Sequence, residues 1–285
     1  MFAREALQLD TRGRACDDRI AVAARINGSL MRRLHLFEFE DQPWFPALLR
    51  DLLTEQLQFE LEARRVYQPI VPHLARALRR TGRTHLVDLC SGAGGPVLGV
   101  RAALEEQLGE PVTVELTDRF PNHDAFARAR ERAPGRIDSC GAPIDARAVP
   151  GDRAGFRTLF SAFHHFRPTA AQAILQDAVD SGAPIGVFEF TSRAPRAPLA
   201  MARAALRVWA RTPLDLPRTP TRLLLSFVVP LVPWIYFVDA SVSHWRTYTP
   251  DELRAMTTRL GGQRYRWECG RARGVTFLIG TPTGP

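Results

Sequence analysis

Three groups of side chains in this 285-residue chain have types and spacing suited to chemistry. The first is the run Val87-Asp88-Leu89-Cys90-Ser91-Gly92-Ala93-Gly94-Gly95-Pro96, a short apolar segment that ends in a glycine-rich turn. Glycines directly after a strand let the backbone pass close beneath a ligand, and the helix that follows offers free amides. The GxGxxG dinucleotide pattern is not met, because Val97 stands where a third glycine would be needed. The second is Asp118, at the end of the next apolar run. A carboxylate there can accept hydrogen bonds from both ribose hydroxyls of an adenosine. Taken alone it reads as an ordinary turn or cap residue, but together with the glycine turn it points to an adenosyl ligand. The third is the pair His164-His165, whose imidazoles titrate near neutral pH and could act as a general base. The competing reading packs one of them against the ligand pocket and the other into the core.

The elements that must hold these groups alternate in period. Residues 44–78 carry leucines at helical spacing and read as two amphipathic helices, broken near Pro69 and Pro72. Short apolar strands are predicted at 85–89, 112–116 and 185–190, with a further candidate at 157–163 and a weaker one near Ile144. Helices are predicted over 97–108 and about 169–179. Thr249-Pro250-Asp251-Glu252 has the composition of a capping box with proline at the first helical position. Two alternating segments, 265–269 and 275–279, close the chain. Strands alternating with helices of this length require an α/β fold on a mostly parallel sheet. Residues 1 to about 30 read as a loosely attached helical extension.

These motifs, in this order, resemble those of the class I S-adenosylmethionine-dependent methyltransferases. Residues 86–96 are similar to the family's glycine-rich first motif, Asp118 to its ribose-binding acid, and Ile144-Asp145-Ala146 to its adenine-edge motif. Phe160-Ser161-Ala162-Phe163-His164-His165-Phe166 is similar to its fourth motif, and Tyr248 to Leu253 to the helix before its final hairpin. The resemblance covers roughly residues 85–190 and 244–280. It implies a three-layer αβα Rossmann-like fold with a mostly parallel seven-stranded sheet and an antiparallel last strand. An N-terminal helical extension or lid (1–80) would precede the cofactor domain (81–285), with an acceptor-pocket insertion at 191–247. The implied cofactor is S-adenosylmethionine. Its implied contacts are Asp88, near the amino group, with Cys90, Ser91, Gly92, Gly94, Asp118, Asp145, Ala146 and Ser161. No metal is required for methyl transfer. The sequence departs from the usual pattern at Cys90-Ser91 and at the Arg-Phe-Pro-Asn that follows Asp118.

The insertion contains the nearly unbroken apolar run 223–238, too short and too proline-broken for a membrane-spanning helix. It reads as core packing, as the wall of a greasy pocket, or as a peripheral membrane contact. Just beyond it, Asp239, Ser243, Trp245, Arg246 and Tyr248 form a polar and aromatic set that could orient an acceptor. The alternative is a loop satisfying its own backbone. Trp44 could close the same pocket or staple a helix start.

The net charge of +8 raises the question of an anionic partner. The basic side chains are all arginine and spread along the chain, so solvated surface charge is the simpler reading, and nucleic acid is not the expected partner. Four scattered cysteines form no zinc pattern, and a reduced, cytoplasmic setting, with membrane association left open, is the expectation. The resulting expectation is methyl transfer to a small hydrophobic or lipid-like acceptor. The alternatives are an RNA methyltransferase and an inactive cofactor-binding regulatory protein.

Overall fold

The computed structural model describes residues 32–193, 197–215, 219–258 and 260–284. The helical extension expected over residues 1 to about 30 lies outside them. Residues 35–285 form one compact unit. After an irregular strap over residues 35–46 come α1 (Ala47–Ala63), α2 (Val71–Thr81), β1 (His85–Asp88), α3 (Val97–Leu108), β2 (Thr113–Leu116), α4 (His123–Arg132), β3 (Ile137–Ser139), β4 (Phe156–Phe160), α5 (Pro168–Asp180) and β5 (Ile185–Glu189). Then follow α6 (Ala197–Asp215), a helical turn Pro220–Leu223 continuing as a π-helical segment, α7 (Leu231–Arg246), α8 (Pro250–Thr257), β6 (Tyr265–Ala272) and β7 (Val275–Pro282).

The seven strands run in the order β3-β2-β1-β4-β5-β7-β6. β1 to β5 are mutually parallel, and β7 runs antiparallel to β5 and β6. The order reverses between β1 and β4, which is where open α/β sheets bind ligands, outside the carboxyl ends of the strands. All five residues of β4 and of β5 are buried, as strands covered on both faces must be. The two-residue period divides them cleanly. Leu86, Phe156 and Phe188 join α2 and α3 in one core layer, while Val87, Leu159 and Val187 join α5 and α8 in the other.

Local chemistry accounts for the ends of several elements. Thr249 and Glu252 form the expected reciprocal capping box on α8. Gly82 and Gly109 stop α2 and α3 in left-handed conformation. Asn122 caps α4 by accepting from the Ala125 amide at 2.9 Å, so the chain after Asp118 starts its helix four residues late.

Three expectations need correction. The weak strand near Ile144 is absent. The edge strand is Ile137–Ser139, and its register comes from pairing with β2. The fourth strand stops at Phe160, and Phe163–His165 is a 3-10 turn. The insertion at 191–247, read as carrying a proline-broken apolar run, is largely helical among its described residues. Pro233 falls in the first turn of α7, where a missing amide costs nothing. The apolar run 223–238 splits by face. Val232, Ile235 and Tyr236 pack with Leu52, Leu53 and Val208 in a third cluster, while Val228, Val229 and Trp234 point outward. No single helix among the described residues is long and apolar enough to cross a membrane. The pair Pro220–Val228 and Leu231–Arg246, bent by 66°, passes by length and composition only.

Candidate functional site

The site is built from the carboxyl ends of β1, β2 and β4. Beyond β1, Cys90 (φ 58°), Gly92 (φ 57°) and Gly94 (φ 95°) are in left-handed conformation, as is Ser161 (φ 51°) beyond β4. Such backbone costs a non-glycine residue on the order of 1–3 kcal/mol and is retained where the surroundings over-determine it. Ser91 holds the turn through its amide, which donates to Thr117 O at 2.9 Å, and its carbonyl, which accepts from the Gly94 amide at 2.8 Å. Ser161 is held from the helical layer, where its hydroxyl meets that of buried Tyr67.

Asp118 faces the glycine turn directly. Its Oδ2 accepts from the Gly92 amide at 2.7 Å and its Oδ1 from the Phe120 amide at 2.8 Å. Burial pushes the carboxyl upward and the amides of Phe120, Gly92 and Arg119 pull against it, for a net rise. Each oxygen keeps a lone pair for a further donor, because a carboxylate can accept about four hydrogen bonds.

The other expected cofactor contacts divide. Cys90, Ser91, Gly92, Asp118 and Ser161 line one cleft that opens to solvent. Its far wall is α1 and the strap, through Thr54, Leu57, Gln58, Glu40 and Asp41. Asp88 and Gly94 do not line it. The Asp88 carboxylate is sealed between the Thr158 hydroxyl at 2.7 Å and the Ser91 hydroxyl at 2.8 Å, and burial pushes it up to about 7. It braces the turn from beneath, and a direct contact with a cofactor amino group does not fit that packing. Gly94 instead faces Leu116 and Gln58. Asp145 turns outward to Arg147, whose hydrogen bonds hold it down at about 2. Ala146 is buried in the core layer beneath. Only the Ile144 amide, donating to Asp118 O at 2.8 Å, ties that loop to the site.

The two histidines differ sharply. His164 is buried, with Nδ1 at 2.8 Å from Glu189 Oε2. His165 reaches the cleft, and its Nδ1 lies 2.8 Å from both Asp41 Oδ1 and Glu38 Oε2. Burial disfavours its charge, but Glu38 and Asp41 outweigh that and raise its pKa well above the usual value. Both carboxylates favour the protonated ring, which argues against His165 as a general base.

The polar set beyond the apolar run serves the strap. Asp239 accepts from the Phe39 and Glu40 amides at 3.0 and 3.1 Å. Ser243 donates to Glu38 Oε1 at 3.0 Å. Arg246, 2% exposed, reaches Leu36 O at 2.8 Å and both Glu38 and Asp41 at 2.5 Å. The side chains thus bind another segment's backbone and acids, in place of their own loop. Tyr248 is buried and donates to Phe166 O at 2.7 Å, and Trp245 is half-buried. Trp44 is 65% exposed and stacks against Phe37, while its neighbour Phe45 is the one buried. Two of the set still meet a void. Asp239 and Ser243, with Glu40, Leu53, Leu57, His164, Phe190 and Tyr236, border a small cavity.

The strap acids Glu38, Glu40 and Asp41 were missed at the sequence level. The signal was their interleaving with Phe37 and Phe39, since alternating acids and aromatics in a short irregular stretch imply that some of the acids turn inward.

No family model matches the chain, and no curated protein matches it. Among solved structures, it is similar to an O-methyltransferase family protein from Burkholderia thailandensis (16% identity, 77% of this chain and 57% of that one, TM-score 0.47). It is also similar to PigF with SAH (15%, 85% and 62%, TM-score 0.48). A third structure, named for Zn-dependent alcohol dehydrogenases, from Rhodobacter sphaeroides, is matched at 10% identity over 83% and 98%, TM-score 0.48. The chain spans about three-fifths of the length of the first two. The strand order, the single antiparallel strand and the glycine turn at the point of reversal give this chain the fold of the class I S-adenosylmethionine-dependent methyltransferases.

Proposed function

We propose that the protein binds S-adenosylmethionine in the cleft above the glycine turn and transfers its methyl group to a small, mainly apolar acceptor. One observation carries the cofactor reading: Asp118 and the turn after β1 converge, with the carboxylate 2.7 Å from the Gly92 amide and bordering an open cleft on its other side. The residues present fit the cofactor. Asp118 would take the ribose hydroxyls, the backbone of Cys90 to Gly92 would border the sugar and amino-acid part, and Ser161 would stand at the floor. When bound, S-adenosylmethionine supplies an electrophilic methyl group on a sulfonium.

The chain's own share is alignment and exclusion of water, which intramolecular models value at several kcal/mol. Leu57 of α1 borders both cavities, and so do Glu40, Ser161 and His165, so acceptor and cofactor would meet across them. The lining of the smaller cavity by Leu53, Leu57, Phe190 and Tyr236 favours an apolar body. Asp239 and Ser243 remain candidates to orient it by their second lone pairs. Arg246, spent on the strap, acts on the acceptor only by fixing Glu38 and Asp41.

Calorimetry with S-adenosylmethionine and its demethylated product tests the reading without knowledge of the acceptor. Wild type should bind both, and Asp118→Ala should weaken both about 10–100-fold, the loss of charge-assisted hydrogen bonds worth about 1.5–3 kcal/mol. Failure of wild type to bind either ligand overturns it.

A further inference from the structure

Among the described residues, Glu40 and His165 alone border all three voids at the strand tips: the cofactor cleft, the apolar cavity, and a wide groove leading outward past Phe120 and Phe166. His165 is committed, because its Nδ1 proton is shared between Glu38 and Asp41. Glu40 is fixed in position yet uncommitted. Its amide is held by Asp239 at 3.1 Å and its carbonyl by Arg50 Nε at 3.2 Å, so the backbone is clamped from α7 and from α1. Among the described residues no group hydrogen-bonds its carboxyl. A carboxyl group carried on a clamped backbone where these voids meet, with both oxygens unspent, is placed to handle a proton.

We infer that Glu40 receives the acceptor's proton, and that it is ionised for this task by a sulfonium sharing its cleft. The inference rests on the cofactor reading above.

The charges around Glu40 explain why a cation would matter. Asp239 and Tyr236 face it from α7, His165 from the turn after β4, and Glu38 and Asp41 from its own strap, while Arg50 meets only its carbonyl. Burial, then the charge of Asp239, push its carboxyl up to about 8. Both effects favour the protonated form of Glu40. A positive sulfonium bound in the same cleft would favour the ionised form of Glu40, because a nearby opposite charge lowers a carboxyl's pKa.

Atoms and charge then balance in one step. The acceptor atom forms its bond to the methyl carbon, the carbon–sulfur bond breaks and leaves its electron pair on sulfur, and the acceptor's proton passes to the Glu40 carboxylate. A cation and an anion become two neutral groups, so no net charge is stranded in a poorly hydrated site.

The test is proton counting by calorimetry at pH 7, in phosphate and in Tris, whose ionisation heats differ. Wild type should release roughly half a proton or more on binding S-adenosylmethionine and essentially none on binding S-adenosylhomocysteine. In Glu40→Gln both ligands should still bind and the difference should vanish. Equal proton counts for the two ligands in wild type, which needs no variant, would overturn the inference. So would an undiminished difference in Glu40→Gln. Failure of both ligands to bind wild type is a separate result and removes the cofactor reading itself. In a panel of small phenols with radiolabelled cofactor, Glu40→Gln should lower kcat about 10²–10⁴-fold on any phenol that wild type methylates. Its KM for the cofactor should stay near wild type, and a kcat within threefold of wild type would remove the base assignment.

Discussion

At the tips of β1 and β2, Asp118 is held by backbone amides of neighbouring turns. Across the cleft, Glu38 and Asp41 are held by the side chains of Arg246 and His165. The first arrangement uses groups that any folded strand tip presents, and its partners lie 2 and 26 residues from Asp118. The second joins residues 124 to 208 apart in sequence and depends on charges brought together. Amide cradles are preorganised by the sheet and tolerate an open face, which suits ligand exchange. Buried charge clusters are stable only while every member is present, which suits a latch that sets the position of a strap.

If that contrast is right, the largest effect should come from the latch. Arg246→Ala leaves Glu38 and Asp41 short of a counter-charge, and removing one partner of a buried ion pair typically costs about 3–5 kcal/mol. Urea unfolding should register that loss. Cofactor affinity should move by less than about threefold if tip and latch are separable. A tenfold or greater change would show that the latch sets the position of the wall that the strap gives the cofactor cleft.

A second experiment uses pH. In the folded protein Glu40 titrates near 8, above its ordinary 4.5. The folded state thus binds more protons than the unfolded chain between those values, and its stability falls as pH rises through that window and levels off above about 8. Asp88 and Asp239, pushed up to about 7 and about 6, act in the same direction. Glu40→Gln should therefore be no more stable than wild type at pH 4, and more stable by up to about 5 kcal/mol at pH 9. Parallel melting curves across that range would argue that Glu40 is not held near-neutral by the fold.

The smallest effect is expected outside both regions. Thr249→Ala removes half of a capping box and should cost about 1 kcal/mol without altering cofactor affinity. It serves as the control that separates loss of stability from loss of function.

Particular elements show how much could be read in advance. Helix Val97–Leu108 appears at its expected bounds, since glycines precede it and Gly109 stops it, both local signals. The capping box of α8 is equally local. α7 was hidden, because Pro230 and Pro233 looked like interruptions when one precedes the helix and the other lies in its first turn. β3 was hidden too, since Ile137–Ser139 carries no strand pattern and becomes a strand only through the edge that β2 offers. Of the site, Asp118 and the glycine turn were legible because strand, turn and acid recur in a fixed order along the chain. Glu40 was not, because a carboxyl acquires its unusual character from burial and neighbouring charge.

What the sequence determined by itself was the alternation of strand and helix, the glycine turn at a strand end, and the acid one strand later. Each of these rests on interactions between residues close in the chain or on a hydrophobic period. Only the tertiary structure decided that Asp239, Ser243 and Arg246 would clasp the strap, that His165 would meet two carboxylates, and that Glu40 would face the meeting point of two cavities. Those outcomes depend on which distant charges share a dry space. Coulomb energies there vary with separation and burial, quantities that residue order does not encode locally.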